Sequence, residues 1–209
     1  MPDFKFEDEA RARGYQIIAG IDEAGRGPWA GPVVAGAVIL THDDISDELL
    51  NGLDDSKKLS HKKREVLYPL IMNKAQTGVG IATVDEIDEL NILGGTLLAM
   101  QRAFNSLGSP VADYALIDGN RLPELPCKAM TVVKGDRLSL SIAAASIIAK
   151  VTRDRIMTEL ANDFPGYGWQ NNAGYGTRQH IAALNSLGIT EHHRKTFAPI
   201  RKILRSYSK

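Results

Sequence analysis

The side chains best suited to chemistry in this chain are four carboxylates that each follow a short apolar run: Asp22, Glu23, Asp118 and Asp136. Carboxylates gathered in one cleft repel each other and raise each other's pKa unless cations neutralise them. Mg²⁺ prefers a few carboxylates together with water and the phosphate oxygens of a substrate. Two such ions about 4 Å apart can activate an attacking water and stabilise the leaving oxygen. The four acids therefore predict metal-assisted chemistry on a phosphate.

Each acid taken alone also has a simpler interpretation. Asp136 precedes a long helix and could be its N-cap, and Asp118, followed by glycine and asparagine, could belong to a plain turn. Asp22 and Glu23 could lie at a solvated strand end. Spacing along the chain does not show whether the four carboxylates meet in space, so both interpretations stay open at this stage.

A glycine-rich turn, Gly25-Arg26-Gly27, follows the first two acids directly. Glycine tolerates positive φ and lets the backbone approach a ligand closely. The turn could therefore present backbone groups to a sugar or a phosphate, while Arg26 fixes the loop or pairs with a carboxylate. The alternative is a tight turn between two strands. The turn is not a P-loop, since no G-x-x-x-x-G-K-[ST] pattern occurs near it.

Basic and aromatic residues add candidates for contacts with a nucleic acid. Lys57 and Lys58 could bind backbone phosphates, and three more residues could extend that patch along a helix or form a solvated face: Lys62, Lys63 and Arg64. Tyr175, between two glycines, could pack against a sugar or base, or could cover the edge of the core.

The C-terminal region contains three histidines and a basic tail. His180, His192 and His193 are predicted to be surface residues, because carboxylates already supply the hard oxygen ligands. The tail is predicted to contact nucleic acid through six basic residues: Arg194, Lys195, Arg201, Lys202, Arg205 and Lys209.

Strands and helices that would position these residues alternate along the chain. Short apolar runs bounded by glycine, proline or polar residues predict strands over 17–21, 33–40, 79–84, 114–117 and 127–133. Helical spacing predicts helices from the N-cap Ser60 onward, with a kink or a break at Pro69, and over 91–107, 138–164, 177–187 and from 199. The acidic segment 85–89 is predicted to be a turn. A central mixed sheet flanked by helices is the architecture that follows.

Composition limits the class of protein. The chain has 209 residues, 44% of them hydrophobic, which is enough to bury a full core. Its formal net charge is zero, so local clusters must account for any polyanionic partner. The single cysteine, Cys127, excludes an intramolecular disulfide and a zinc site built from cysteines. There is no signal-peptide pattern and no apolar run of roughly 20 residues, so we expect a soluble cytoplasmic protein.

The residues singled out above also lie in motifs that resemble a known family. The motifs are GIDEAGRGPWAGPVVAGAV, DSKKLS, LIDGN, KGDRLSLSIAAASIIAKVTRDR and GYGT. The chain resembles the bacterial ribonuclease HII family from about residue 17 to residue 197. The resemblance implies an α/β ribonuclease H-like fold in a single domain over 1–209, with a small helical C-terminal part from about 177. The N-terminal domain of the related ribonuclease HIII has no counterpart here, which favours HII.

The resemblance implies a role for each candidate. Asp22, Glu23, Asp118 and Asp136 match the family's metal-binding catalytic carboxylates, for two Mg²⁺ or Mn²⁺ ions. The backbone of Gly25, Arg26 and Gly27 matches the element that recognises a ribose 2′-hydroxyl. Tyr175 matches the tyrosine that packs against the sugar after the scissile ribonucleotide and helps to sense an RNA–DNA junction. Lys57, or Lys58 in its place, would lie near a phosphate.

The function implied is that of an endoribonuclease. It would hydrolyse the RNA strand of RNA–DNA hybrids and cut on the 5′ side of ribonucleotides embedded in duplex DNA. Two-metal-ion catalysis would leave 5′-phosphate and 3′-hydroxyl ends. We expect a monomer that binds no membrane. Two alternatives remain: a metal-dependent DNase of similar fold, which would need no 2′-hydroxyl sensor, and a hybrid-binding protein without catalysis.

Overall fold

A five-stranded mixed β-sheet crosses the protein, whose computed structural model describes residues 1–43 and 45–207. Its strands are β1 (Ile18–Ala24), β2 (Val33–Ile39), β3 (Gln76–Ala82), β4 (Tyr114–Asp118) and β5 (Lys128–Val132). They lie in the order β3-β2-β1-β4-β5. Strand β2 pairs antiparallel with β1 and β3, whereas β1, β4 and β5 run parallel. The predicted mixed sheet and its five strands are confirmed.

Helices cover both faces of this sheet. They are α1 (Lys5–Ala12), α2 (Asp47–Gly52), α3 (His61–Lys74), α4 (Val84–Asn105), α5 (Leu140–Asp163), α6 (Trp169–Asn172), α7 (Arg178–Leu187) and α8 (Ala198–Tyr207). Helix α4 packs on the face that carries Ala19, Ile21 and Ala35. Helix α5 packs on the opposite face, where its apolar first half is buried, as its composition predicted.

Two glycines let α5 lie in backbone contact with the central strands. A Cβ on Gly36 of β2 would come within 2.5 Å of the carbonyl oxygen of Ala145, and one on Gly20 of β1 would overlap the backbone of Ser141. Real Cβ atoms do not approach other atoms so closely, so only glycine fits at both positions. Helix α5 therefore packs directly on β1, the strand that contains Asp22.

Helix α4 begins earlier than predicted. The acidic segment 85–89 is not a turn, because Thr83 and Glu86 form a capping box that starts a helix there. The predicted start at Asn91 corresponds to a break inside α4, where Asn91 has φ 61° and its Oδ1 accepts a hydrogen bond from the Leu93 amide at 2.9 Å. Two helical segments with separate caps therefore follow each other.

Helix α3 is not divided at Pro69, which lies inside it. Leu67 and Ile71 on either side of the proline are buried against the core and hold both halves in place. Ser60 caps this helix as predicted, since its Oγ accepts a hydrogen bond from the Lys63 amide.

The C-terminal helices form a core of their own with the end of α5, around Met157, Trp169, Leu184 and Ile200. Backbone hydrogen bonds join this region to the loop between β1 and β2: the Trp29 amide donates to Gly174 and the Arg194 amide donates to Trp29. Lys209 of the predicted basic tail lies outside the described residues. No helix within the described ranges combines the length and apolarity that a membrane crossing needs.

Candidate active site

Two of the predicted carboxylates lie side by side because of the strand pairing. Ile21 of β1 is in register with Ile117 of β4, and the two strands are parallel neighbours. The next residue in each strand is an acid, Asp22 in β1 and Asp118 in β4. Carboxyl ends of parallel strands meet at the same edge of a sheet, so these acids share that edge, with Glu23 following Asp22.

Asp136 reaches the same edge through a turn after β5. Lys134 adopts a left-handed conformation with φ 60°, and a 3₁₀ turn, Gly135–Arg137, follows. The Gly135 amide donates a hydrogen bond of 2.6 Å to Oδ1 of Asp118, which ties this turn to the end of β4. Ser139, and not Asp136, is the N-cap of α5. The N-cap interpretation of Asp136 is therefore wrong.

The acids interact electrostatically, although they come from three separate segments. Asp22 is only 4% exposed, and burial followed by the charges of Glu23 and Asp118 raises its pKa well above the ordinary value. Burial also raises the pKa of Glu23. For Asp136, burial and then the charges of Asp118 and Asp55 raise the pKa to about 6. The charges of Lys57 and, for Glu23, of Arg26 lower these pKa values but do not offset burial, so further positive charge would stabilise the ionised carboxylates.

The donor set fits a divalent cation. Among the described residues, no three His, Cys, Asp or Glu side chains are arranged to hold a metal ion by themselves. Mg²⁺ usually takes only one or two carboxylates from a protein and completes its shell with water and substrate phosphates. Buried, mutually repelling carboxylates at one edge match that demand, and hard oxygen ligands favour Mg²⁺ or Mn²⁺.

Lys57 is the one predicted lysine that faces the acids. Burial lowers the pKa of its ammonium, but four nearby carboxylates together outweigh burial and raise it: Asp22, Asp136, Asp55 and Glu23. The Lys57 amide donates to Oδ1 of Asp55 at 2.9 Å. Lys58 turns away and forms an ion pair of 3.1 Å with Asp54.

Asp55, which sequence reasoning missed, connects the lysine loop to the turn that carries Asp136. Its side chain is buried, and its Oδ2 accepts a hydrogen bond of 2.9 Å from Nη2 of Arg137. Spacing along the chain gave no indication of this contact, because it joins residues 82 positions apart.

A cavity of about 580 Å³ lies beside the carboxylates and brings the remaining candidates together. It is lined by Glu23, Ala24, Gly25, Arg26, Gly27, Ser56, Lys57, Ile92, Lys150, Arg153 and Tyr175. Gly27 lies against the ring of Tyr175, since a Cβ on this glycine would be 3.2 Å from Cε1 of the tyrosine. Arg26 forms an ion pair of 3.3 Å with Glu23. Pairing with a carboxylate was one of the two roles predicted for this arginine.

Two buried arginines support the loop between β1 and β2, residues 25–32, from inside the protein. Arg194 was predicted to belong to an exposed basic tail, but it is fully buried and donates to the carbonyl oxygens of Gly25 and Arg26 at 2.6 and 3.1 Å. Arg153 donates to the carbonyl oxygens of Ala30, Pro32 and Ala173. Burial lowers the pKa of both groups, to about 9 for Arg194 and about 10 for Arg153, so both remain charged at neutral pH.

Helical spacing in the sequence could have indicated that Arg153 is buried. It continues a series of buried positions four residues apart on α5, formed by Ala145, Ala149, Arg153 and Met157. An arginine on such a stripe must find acceptors inside the protein, because a buried guanidinium without them is costly. No comparable pattern surrounds Arg194.

Other predictions for basic residues and histidines need correction. His180 and His193 are fully buried and are not surface residues. Arg64 does not extend a phosphate-binding patch, since its Nη1 donates to the carbonyl oxygens of Ser56 and Leu59 at 2.7 and 2.6 Å. Among the described residues predicted to extend the phosphate-binding patch or to form the basic tail, nucleic-acid contact stays a prediction for six that are exposed: Lys62, Lys63, Lys195, Arg201, Lys202 and Arg205.

A family model described as ribonuclease HII matches residues 19–200. The chain belongs to the ribonuclease HII family. It is 56% identical over 204 residues to the ribonuclease HII of Ruegeria sp. (strain TM1040), an alignment that covers 97% of this chain and 87% of that protein. Membership makes the chain a ribonuclease H, a hydrolase that acts on RNA–DNA hybrids and depends on divalent metal ions.

Solved structures agree with this assignment. The crystal structure of the ribonuclease H2 from Pyrococcus horikoshii OT3 has a TM-score of 0.72 and 27% identity, covering 93% of this chain and 100% of that one. Bst-RNase HIII in complex with Mn²⁺ has a TM-score of 0.67 at 20% identity, covering 94% and 72%, and shows the shared fold alone. The predicted ribonuclease H-like α/β fold is confirmed.

Proposed function

We propose that this ribonuclease HII family member cuts RNA–DNA hybrids and also duplex DNA on the 5′ side of a single embedded ribonucleotide, leaving 5′-phosphate and 3′-hydroxyl ends. The observation that carries this proposal is the cavity that Glu23, the 25–27 loop, Lys57 and Tyr175 line together. A site for metal-assisted cleavage and a site that can inspect a sugar are thus adjacent.

In this proposal Asp22, Glu23, Asp118 and Asp136 hold two divalent ions, Mg²⁺ or Mn²⁺. When bound, such ions activate water and stabilise the leaving oxygen of a phosphodiester. The chain's own contribution is to keep the four carboxylates together against their repulsion. The hydrogen bond from the Gly135 amide to Asp118 and the packing of α5 beneath β1 support that role.

The 25–27 loop is proposed to recognise the 2′-hydroxyl through its backbone. Gly25 has φ +100°, and a Cβ there would collide with the side chain of Arg153. Arg194 donates hydrogen bonds to the carbonyl oxygens of Gly25 and Arg26, and the side chain of Arg153 packs against Gly25, which supports a fixed loop conformation. A rigid backbone can discriminate a hydroxyl by one hydrogen bond, because an analogue without the hydroxyl leaves a polar group unpaired.

Tyr175 is proposed to pack against the sugar that follows the scissile ribonucleotide. Its side chain is 49% exposed and lies beside Gly27, so the ring is available to a ligand in the cavity. If the ring packs only where a 2′-hydroxyl is absent, this contact would favour an RNA–DNA junction, because the 2′-hydroxyl distinguishes the two sugars. Lys57 is proposed to neutralise a phosphate oxygen near the acids.

A cleavage assay on end-labelled duplexes tests the proposal. One duplex contains a single ribonucleotide, the second is all DNA, and the third is a long hybrid. With Mg²⁺ or Mn²⁺ we expect cuts 5′ of the single ribonucleotide and within the hybrid, and none in the all-DNA duplex. Cleavage of all-DNA duplex would favour a DNase, and binding without metal-dependent cleavage would favour a hybrid-binding protein.

Product ends and one pair of variants complete the test. Since the proposed attacker is water, the products carry 3′-hydroxyl ends, and a 2′,3′-cyclic phosphate would contradict the mechanism. Asp118→Asn should lower kcat by at least about 1,000-fold while the protein still unfolds cooperatively. The matched change Asp163→Asn, at the exposed end of α5, should leave activity unchanged. An active Asp118→Asn variant would exclude the metal-binding role.

A further inference from the structure

Two fully buried histidines lie beneath the loop that carries Tyr175. His180 belongs to α7 and His193 to the segment that precedes Arg194, and their Nε2 atoms are 3.0 Å apart. The mechanism proposed above uses neither of them. Since a contact between two ring nitrogens needs a donor on one side and an acceptor on the other, their protonation states decide what this pair does.

The proton of His193 can be assigned from Thr190. The Thr190 amide lies 3.0 Å from Nδ1 of His193, and a backbone N–H can only donate. Nδ1 of His193 is therefore an acceptor. In a neutral imidazole the proton must then be on Nε2, the atom that faces His180.

The proton of His180 can be assigned independently from Trp169. The indole Nε1 of Trp169 lies 3.2 Å from Nε2 of His180, and an indole N–H can only donate. Nε2 of His180 is therefore an acceptor, and its proton is on Nδ1. That atom lies 3.0 Å from the carbonyl oxygen of Tyr175.

The two assignments fit each other where the rings meet. Nε2 of His180 accepts from both the Trp169 indole and Nε2 of His193, two donors that share its one lone pair, and a directed chain of hydrogen bonds runs from Thr190 through both rings to Tyr175. Burial lowers the pKa of both histidines, to about 4 for His193, which agrees with two neutral rings. A proton added to either ring would place two donors against each other.

The chain of hydrogen bonds ends at Tyr175, whose backbone has few other contacts to fix it. Tyr175 stands between Gly174, with φ +83°, and Gly176, and its ring is half exposed, so side-chain packing does not hold it firmly. Its amide donates to Asn172 at 2.9 Å, and its carbonyl oxygen accepts from the Thr177 amide at 2.8 Å. The hydrogen bond from His180 is the one side-chain anchor of this carbonyl group among the described contacts.

We propose that His180 and His193 are positioning residues for Tyr175: their hydrogen-bond chain fixes the Tyr175 backbone and thereby holds its ring beside Gly27 in the substrate cavity. This inference rests on the role proposed above for Tyr175. Two apolar side chains could fill the same volume, but they would leave Thr190, Trp169 and Tyr175 each short of one hydrogen-bond partner. The pair therefore does more than fill the core.

A double-mutant cycle tests the positioning role. The measured quantity is the ratio of kcat/KM on the single-ribonucleotide duplex to kcat/KM on the long hybrid. His180→Gln places its amide at the Nε2 end and removes the donor to Tyr175, so we expect the ratio to fall about fivefold, the effect of one lost hydrogen bond. In a Tyr175→Ala background the same change should leave the ratio unaltered. His180→Asn, whose amide can replace Nδ1, should restore most of the ratio.

A neighbouring histidine supplies the matched control. His192 packs edge-on against Phe164 at 4.8 Å between ring centres and takes no part in the chain, so His192→Gln should leave the ratio unchanged. Thermal unfolding of each variant ensures that rates are compared well below its Tm.

The outcomes separate this inference from the proposed function. Equal losses for His180→Gln with and without Tyr175 would show a general structural effect and overturn the inference. An unchanged ratio in His180→Gln alone would also overturn it. If Tyr175→Ala itself leaves the ratio unaltered, the role proposed for Tyr175 is wrong and the inference fails with it.

A direct measurement needs no activity. Nitrogen-15 NMR of histidine-labelled protein should show His193 protonated at Nε2 and His180 protonated at Nδ1, both neutral at pH 7. The reverse tautomers, or a charged ring at pH 7, would overturn the hydrogen-bond chain and the inference with it.

Discussion

Nη2 of Arg194 donates a hydrogen bond of 2.6 Å to the carbonyl oxygen of Gly25, which lies 169 positions earlier in the chain. The same guanidinium reaches Gly31 through Nε at 3.0 Å and Pro32 at 3.2 Å. One buried side chain near the C-terminus thus supports the loop that follows Asp22 and Glu23, two of the proposed catalytic acids. The loop and the C-terminal helices are for this reason one functional unit.

Arg194→Lys tests this support. Lysine keeps the charge but cannot present a planar fork of donors to several carbonyl groups. We expect the free energy of unfolding to fall by about 2–4 kcal/mol, because several buried acceptors lose their donor. Urea denaturation measures the loss, and cleavage of a hybrid should slow. The exposed Arg201→Lys should change stability by no more than about 0.5 kcal/mol. Equal stability of both variants would contradict the role of Arg194.

Asp136→Asn should inactivate the enzyme yet stabilise the metal-free protein. The pKa of Asp136 is raised in the fold to about 6, so the folded protein holds this proton more tightly than the unfolded chain. Above about pH 6 the ionised side chain therefore costs stability, and below the unfolded pKa of 3.8 both states are protonated and the cost vanishes.

The measurement for Asp136 is chemical denaturation in EDTA at several pH values. We expect the free energy of unfolding of the variant to exceed that of the wild type by about 1–2 kcal/mol at pH 8, after allowance for solvent screening. The difference should shrink towards pH 4. Adding Mg²⁺ should stabilise the wild type more than the variant. A variant less stable than the wild type at pH 8 in EDTA would argue against repulsion among the acids.

Gly36→Ala should damage activity through the helix beneath it. The new Cβ would press on the carbonyl oxygen of Ala145 at 2.5 Å and push α5 away from the sheet, which we expect to cost about 3 kcal/mol. Because Gly36 is in register with Asp22, the acid should move and kcat should fall. In Gly14→Ala no atom lies within 4 Å of the new Cβ, so backbone strain should lower stability while activity is retained. Full activity in Gly36→Ala would show that the site tolerates the shift.

Lys57→Met and Lys58→Met separate two adjacent lysines. Lys57 faces Asp22 and Asp136, so its loss should lower kcat about 100-fold, the usual effect of removing one group that stabilises developing charge. Lys58 is paired with Asp54 outside the cavity, and its loss should change kcat less than twofold. Single-turnover kinetics on a hybrid distinguish the two. A larger effect at Lys58 would reverse the assignment.

Much of the fold could be predicted from local pattern. Apolar runs bounded by glycine and proline indicated all five strands, and Ser60 and Thr177 were recognisable caps because capping depends on a few neighbouring residues. The failures were also local. The capping box of Thr83 and Glu86 was overlooked in an acidic stretch. Pro69 was expected to kink or divide a helix, and packing on both sides keeps that helix undivided.

The candidate residues could be predicted from the sequence, but the buried polar residues that hold them in place could not. The resemblance pointed to the four acids, the 25–27 loop and Tyr175. All of these could be noticed without tertiary information. Arg194, Asp55 and the histidine pair were misassigned or missed, because whether a polar side chain is buried depends on residues far away in the chain. The sequence alone does not distinguish an arginine in an exposed basic tail from a buried one.

By itself, the sequence determined the family, the strands that end in acids and the glycine-rich turn, since each is encoded in contiguous residues. Only the tertiary structure decided that β1 and β4 are parallel neighbours, which brings Asp22 and Asp118 to one edge of the sheet. It also decided that Arg194 is buried beneath Gly25 and that His180 reaches Tyr175. The physical reason is that a buried polar group must find its partners in space, and those partners need not be near it in the chain.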